Sequence, residues 1–77
     1  MRIVNRWGTV DIPYEKLIIF YNKALDSHYV KVSDGFNYIR DSIILGEYES
    51  KERCLEVMEN IRTAYMHDKK VFIMPKE

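Results

Sequence analysis

Ser42-Ile43-Ile44-Leu45-Gly46-Glu47-Tyr48-Glu49-Ser50-Lys51-Glu52-Arg53-Cys54, running on to Met66, decides the fold. An apolar, β-branched run ends at Gly46, and a short turn over Glu47-Tyr48-Glu49 leads to Ser50. A serine can accept a hydrogen bond from a free amide of the first helical turn, and Glu49 and Glu52 suit the positive end of a helix dipole. Cys54, Val57, Met58, Ile61, Ala64 and Tyr65 then follow i, i+3, i+4, i+7 spacing, and Leu55 widens the stripe. The spacing predicts a helix over residues 50–66. Its one apolar stripe must lie on a partner, and the strands before it are the only large one.

Upstream, Ile3-Val4 and Thr9-Val10-Asp11-Ile12 flank Trp7-Gly8, where Gly8 can take the positive φ of a tight hairpin. Pro13 must end the second strand or sit at an edge. Lys16 to Leu25 fits two periods. Leu17, Phe20, Tyr21, Ala24 and Leu25 suit a helix; Leu17, Ile19 and Tyr21 suit a strand. The β-branched and aromatic run Ile18-Ile19-Phe20-Tyr21 and the lack of an N-cap favour the strand. A reversal over Asn22 to Ser27 and a strand from His28 to Val32 follow. Asp34-Gly35 marks a loop from Ser33 to Asn37, Tyr38 to Leu45 returns as a strand, and Val71 to Met74 forms the last, stopped by Pro75. The expected fold is α+β. An antiparallel β-sheet of about five to six strands carries one α-helix, from the C-terminal half, packed on one face. Residues 1–77 form a single domain, because no linker divides them.

Two stretches carry a family resemblance: Gly8-Thr9-Val10-Asp11-Ile12-Pro13-Tyr14-Glu15, and Leu45-Gly46-Glu47-Tyr48-Glu49-Ser50 leading into Glu52, Cys54, Val57 and Ile61. Together they resemble small uncharacterised phage and prophage proteins of Gram-positive bacteria. The likeness leaves out Asn22 to Asp41. Trp7 stands where an acidic or amide residue is usual, and Cys54 where a small alanine is. The resemblance implies a mobile-element origin and an intracellular setting. It implies no activity and no catalytic residues.

Composition narrows the functional classes. Twelve basic residues balance 12 acidic ones, with the signs interspersed, so a dedicated nucleic-acid binder is not expected. One cysteine allows no internal disulfide. No apolar run approaches a membrane span, and Arg2 and Arg6 around Ile3-Val4 do not make a secretory signal. The expected setting is the cytoplasm of a bacterial host.

No residue pattern points to catalysis, a cofactor, a metal or a small-molecule substrate, so no enzyme is expected. His67 follows the helix, where it and Lys69-Lys70 suit the negative end; His28 opens a strand with no visible partner for acid–base work. Cys54 falls on the apolar stripe and reads as core. Glu47, Glu49, Glu52 and Glu56 read as a solvated face, because a Mg²⁺ or Ca²⁺ site needs converging oxygens. The three glycines are too far apart to cradle phosphate.

The aromatic residues carry the functional reading. Phe20, Tyr21, Tyr29, Phe36 and Tyr38 cannot all face one helix, and a two-layer domain leaves one sheet face uncovered. These five form the candidate interaction surface, with a second copy in a homodimer, or another protein, as partner. The alternative is a regulatory protein that stacks single-stranded nucleic acid on this face, with Lys23, Lys31 and Arg40 supplying charge.

Overall fold

Ser50 opens the helix as its side chain predicts. Its backbone is extended (φ −150°, ψ 161°), and its Oγ accepts the Arg53 N–H at 3.1 Å. The computed structural model describes residues 1–33 and 42–77. The helix α1 spans Lys51–Met66, and Cys54, Val57 and Ile61 are its buried stripe. Leu55 lies exposed, off that stripe. The end of α1 is closed by main chain, with no basic side chain in its last turn. Asp68 N–H donates to the Tyr65 carbonyl and Lys69 N–H to the Ala64 carbonyl, both at 3.1 Å, around a left-handed Asp68 (φ 56°).

The described residues form six strands beside the helix: β1 Arg2–Val4, β2 Asp11–Pro13, β3 Ile18–Ala24, β4 Ser27–Ser33, β5 Ile43–Tyr48 and, after α1, β6 Val71–Ile73. The fold is α+β with one helix in the C-terminal half. The strands divide into two three-stranded sheets, ordered β2-β1-β6 and β3-β4-β5. All pairs are antiparallel except β1 with β6, which run parallel. That pair joins strands from the two ends of the chain, and α1 carries the chain back to make it.

The first hairpin turns on Gly8 (φ +72°) and on a buried Asn5. Asn5 Oδ1 accepts the amides of Thr9 at 2.8 Å and Val10 at 3.0 Å, so its burial leaves no polar group unpaired. β2 stops at Pro13 on the sheet edge, as expected.

The ambiguous segment is strand. β3 pairs with β4 from Ile18↔Ser33 to Ala24↔Ser27, which leaves only Leu25 and Asp26 in the reversal. Leu25 has φ 55° and is 94 % exposed. A leucine there carries the left-handed penalty of about 1–2 kcal/mol with no burial to offset it. Leu25→Asn is expected to raise stability by about 0.5–1 kcal/mol, because asparagine tolerates this conformation. Urea midpoints of the two proteins check this; a lower midpoint would show that the leucine makes a stabilising contact.

β5 runs further than the sequence suggests. Glu47 and Tyr48 belong to the strand and not to a turn, and Gly46 lies inside it opposite Val30. The register slips between Val30 and Lys31, so Leu45 is an extra, bulged residue. Leu45 is fully buried, and its carbonyl accepts Arg6 N–H at 2.7 Å, which ties the first hairpin to the second sheet. One core cluster results: Ile3 and Met74 beside the first sheet, Val30, Val32, Leu45 and Tyr48 from the second, and Cys54, Val57 and Ile61 from the helix. Burial pushes the Cys54 thiol up, and its side chain is fully buried, so this cysteine is a core residue.

Candidate functional site

Strand alternation separates the aromatic residues that the sequence groups together. Val30 and Val32 face the core, and their partners Tyr21 and Ile19 pack on the same side. Tyr21 therefore leaves the candidate surface: it lies on the helix side, and its hydroxyl is 2.7 Å from His28 Nδ1. Phe20 and Tyr29 sit on the other side, with Ile18, Lys31 and Ile44. Lys31 Nζ lies 5.4 Å from the Tyr29 ring centroid. Phe36, Tyr38 and Arg40 lie outside the described residues. Of the expected cations, Lys23 pairs with His28 on the helix side and Lys31 with Phe20 on the outer side, so the two do not converge.

Clefts lie along the helix, and three of them bear on the candidate residues. One of about 320 Å³ runs between α1 and the β2–β3 connection, with Leu17, Ile19, Met58 and Ile61 in its lining. Tyr14 and Tyr65 meet across it, ring centroids 4.6 Å apart. A second, of about 460 Å³, holds Tyr21 and His28 beside Lys51 and Ser50. Its hydroxyl group nearest to a nucleophile is Ser50 Oγ, which is occupied as the helix cap. The Tyr21 hydroxyl meets His28 there, and burial pushes its pKa up, away from an activated nucleophile.

The third cleft was not legible in the sequence. It measures about 610 Å³ and is lined by Arg6, Glu47, Tyr48, Glu49, Arg53 and Glu77. The Tyr48 ring lies between two guanidinium groups, 5.8 Å from Arg6 and 5.9 Å from Arg53. Its hydroxyl donates to the Pro75 carbonyl at 2.8 Å. Arg6 donates to the Glu47 carbonyl, and Arg53 to the Glu77 carbonyl and to Glu56. Both arginines thus hold main chain, and three carboxylates share the cleft with them. The arrangement anchors the segment after β6 more than it invites an anion.

Burial pushes the Tyr48 hydroxyl up to about 12, with Arg6 and Arg53 pulling the other way. The unfolded chain releases this proton near pH 10 and the folded one two units later. The contribution is complete below pH 10 and is lost as pH rises from 10 towards 12. The loss is about 2 kcal/mol. Urea melts between pH 8 and 11.5 should show it, with a shallower alkaline fall in Tyr48→Phe; equal falls would assign it to other groups.

Among the described residues, no three histidine, cysteine, aspartate or glutamate side chains converge as a metal site, and no helix is long and apolar enough to cross a membrane. No family model, curated protein or solved structure matches the chain at a significant level.

Proposed function

We propose that this protein is a small, non-catalytic interaction module of mobile-element type that self-associates, working in the cytoplasm of a bacterial host. The observation that carries the reading is the apolar surface of its strands. Ile18 and Ile44 are exposed on the outer side of β3-β4-β5, and Val71 and Ile73 on β6. Strands of a monomer usually alternate apolar inside with polar outside, and apolar residues left on the outside call for a second surface. A twofold dimer is the commonest way to supply one.

Lys31 stacked over Tyr29, next to Phe20, supports the second reading, a single-strand binder. The even balance of 12 basic and 12 acidic residues argues against it, because it offers little counterion release. Light scattering at micromolar concentration, with a fluorescent oligonucleotide titration at physiological salt, decides between them. A dimer without oligonucleotide affinity is expected. A monomer that binds the oligonucleotide with a steep salt dependence would replace the first reading with the second.

A further inference from the structure

Among the described residues, β6 is an edge of its sheet, and half of its hydrogen-bonding groups are used by β1. The β1 ladder takes the Lys70 carbonyl through Arg2 N–H at 2.9 Å and the Met74 amide through the Val4 carbonyl at 3.0 Å. In a parallel ladder the bonding residues alternate, so Phe72 faces β1, and the amides and carbonyls of Val71 and Ile73 point away along the free edge. Their side chains are 52 % and 69 % exposed. Proteins guard such edges with charge or proline. The opposite edge, β2, has both: Asp11, ion-paired to Arg2 at 2.7 Å, and Pro13. Val71-Phe72-Ile73 has neither.

We infer that β6 pairs antiparallel with β6 of a second copy, about a twofold axis at Phe72. This rests on the self-associating reading and names its surface. The outward groups lie at Val71 and Ile73, symmetric about Phe72, so the edge is complementary to itself. Val71 of each copy exchanges two hydrogen bonds with Ile73 of the other, and the sheets join as β2-β1-β6-β6-β1-β2. The flanking charges agree. Asp68, Lys69 and Lys70 precede the strand, and Lys76 and Glu77 follow it. About this axis Asp68 of one copy falls opposite Lys76 of the other, and the lysine pair falls opposite the uncharged Met74 and Pro75; parallel pairing would set lysine beside lysine.

Amide exchange read residue by residue at high and low protein concentration tests this directly. The amides of Phe72 and Met74, which face β1, are expected to stay protected at both. Those of Val71 and Ile73 should be protected only in concentrated protein. Ile73→Lys should weaken the dimer by about ten- to hundredfold without changing the melt of the dilute protein. A dimer in which Val71 and Ile73 exchange freely would overturn the edge pairing. So would a dimer indifferent to Ile73→Lys but broken by Ile18→Lys, and that outcome would leave self-association standing through the outer face of β3-β4-β5. A wild-type chain monomeric at every concentration would overturn both.

Discussion

Ile61→Ala is expected to lower the unfolding free energy by about 2–4 kcal/mol. Ile61 is fully buried on α1, in one cluster with Val57, Cys54 and residues of both sheets. Alanine removes three methyl or methylene groups and leaves space behind. The site already borders the 320 Å³ cleft lined by Leu17, Met58 and Tyr65, so part of the void can be filled by those neighbours. That relaxation separates the low end of the range from the high end. Leu55→Ala, on the exposed side of the same helix, should stay within about 0.5 kcal/mol. Urea denaturation gives both values. An Ile61→Ala protein with the parent's midpoint would show that the stripe does not carry the core.

This helix was legible in the sequence because its signals are local. Ser50 caps it, and the stripe repeats inside one segment. The strand assignment of Ile18-Ile19-Phe20-Tyr21 rested on the side-chain chemistry of a few neighbouring residues, and it holds. The pairing of β1 with β6 has no such mark. It joins residues about seventy positions apart, and nothing in Ile3-Val4 or Val71-Phe72-Ile73 names the other. The reversal falls inside the expected Asn22 to Ser27, but its two-residue form at Leu25-Asp26 was not legible, because it lacks the glycine or asparagine that its left-handed φ favours. On the candidate surface, period-two alternation already puts the consecutive Phe20 and Tyr21 on opposite sides. Only the register shows that Tyr21 takes the core side, beside His28. The cleft around Tyr48 draws Arg6, Arg53 and Glu77 from three distant parts of the chain, so no spacing could signal it.

Gly46 is where reading and structure differ most, and its substitution tests the difference. A glycine after Ile43-Ile44-Leu45 suggests that the strand ends, because glycine weakens strands. The strand continues, and the glycine is there for space. A Cβ at this position would lie 2.6 Å from Tyr48 Oη and 2.7 Å from Cε2. The ring cannot swing aside freely: it is 5 % exposed, flanked by Arg6 and Arg53, and held by its hydroxyl on the Pro75 carbonyl. Gly46→Ala must displace it, with loss of close packing and of a buried hydrogen bond, at about 2–4 kcal/mol. If space is the cause, removing the ring removes the penalty. In a Tyr48→Ala background the same Gly46→Ala change should be neutral or stabilising, since alanine restricts the unfolded chain more than glycine does. A double-mutant cycle in urea measures this coupling. Additive effects would mean that the glycine serves the backbone of the bulge and not the tyrosine.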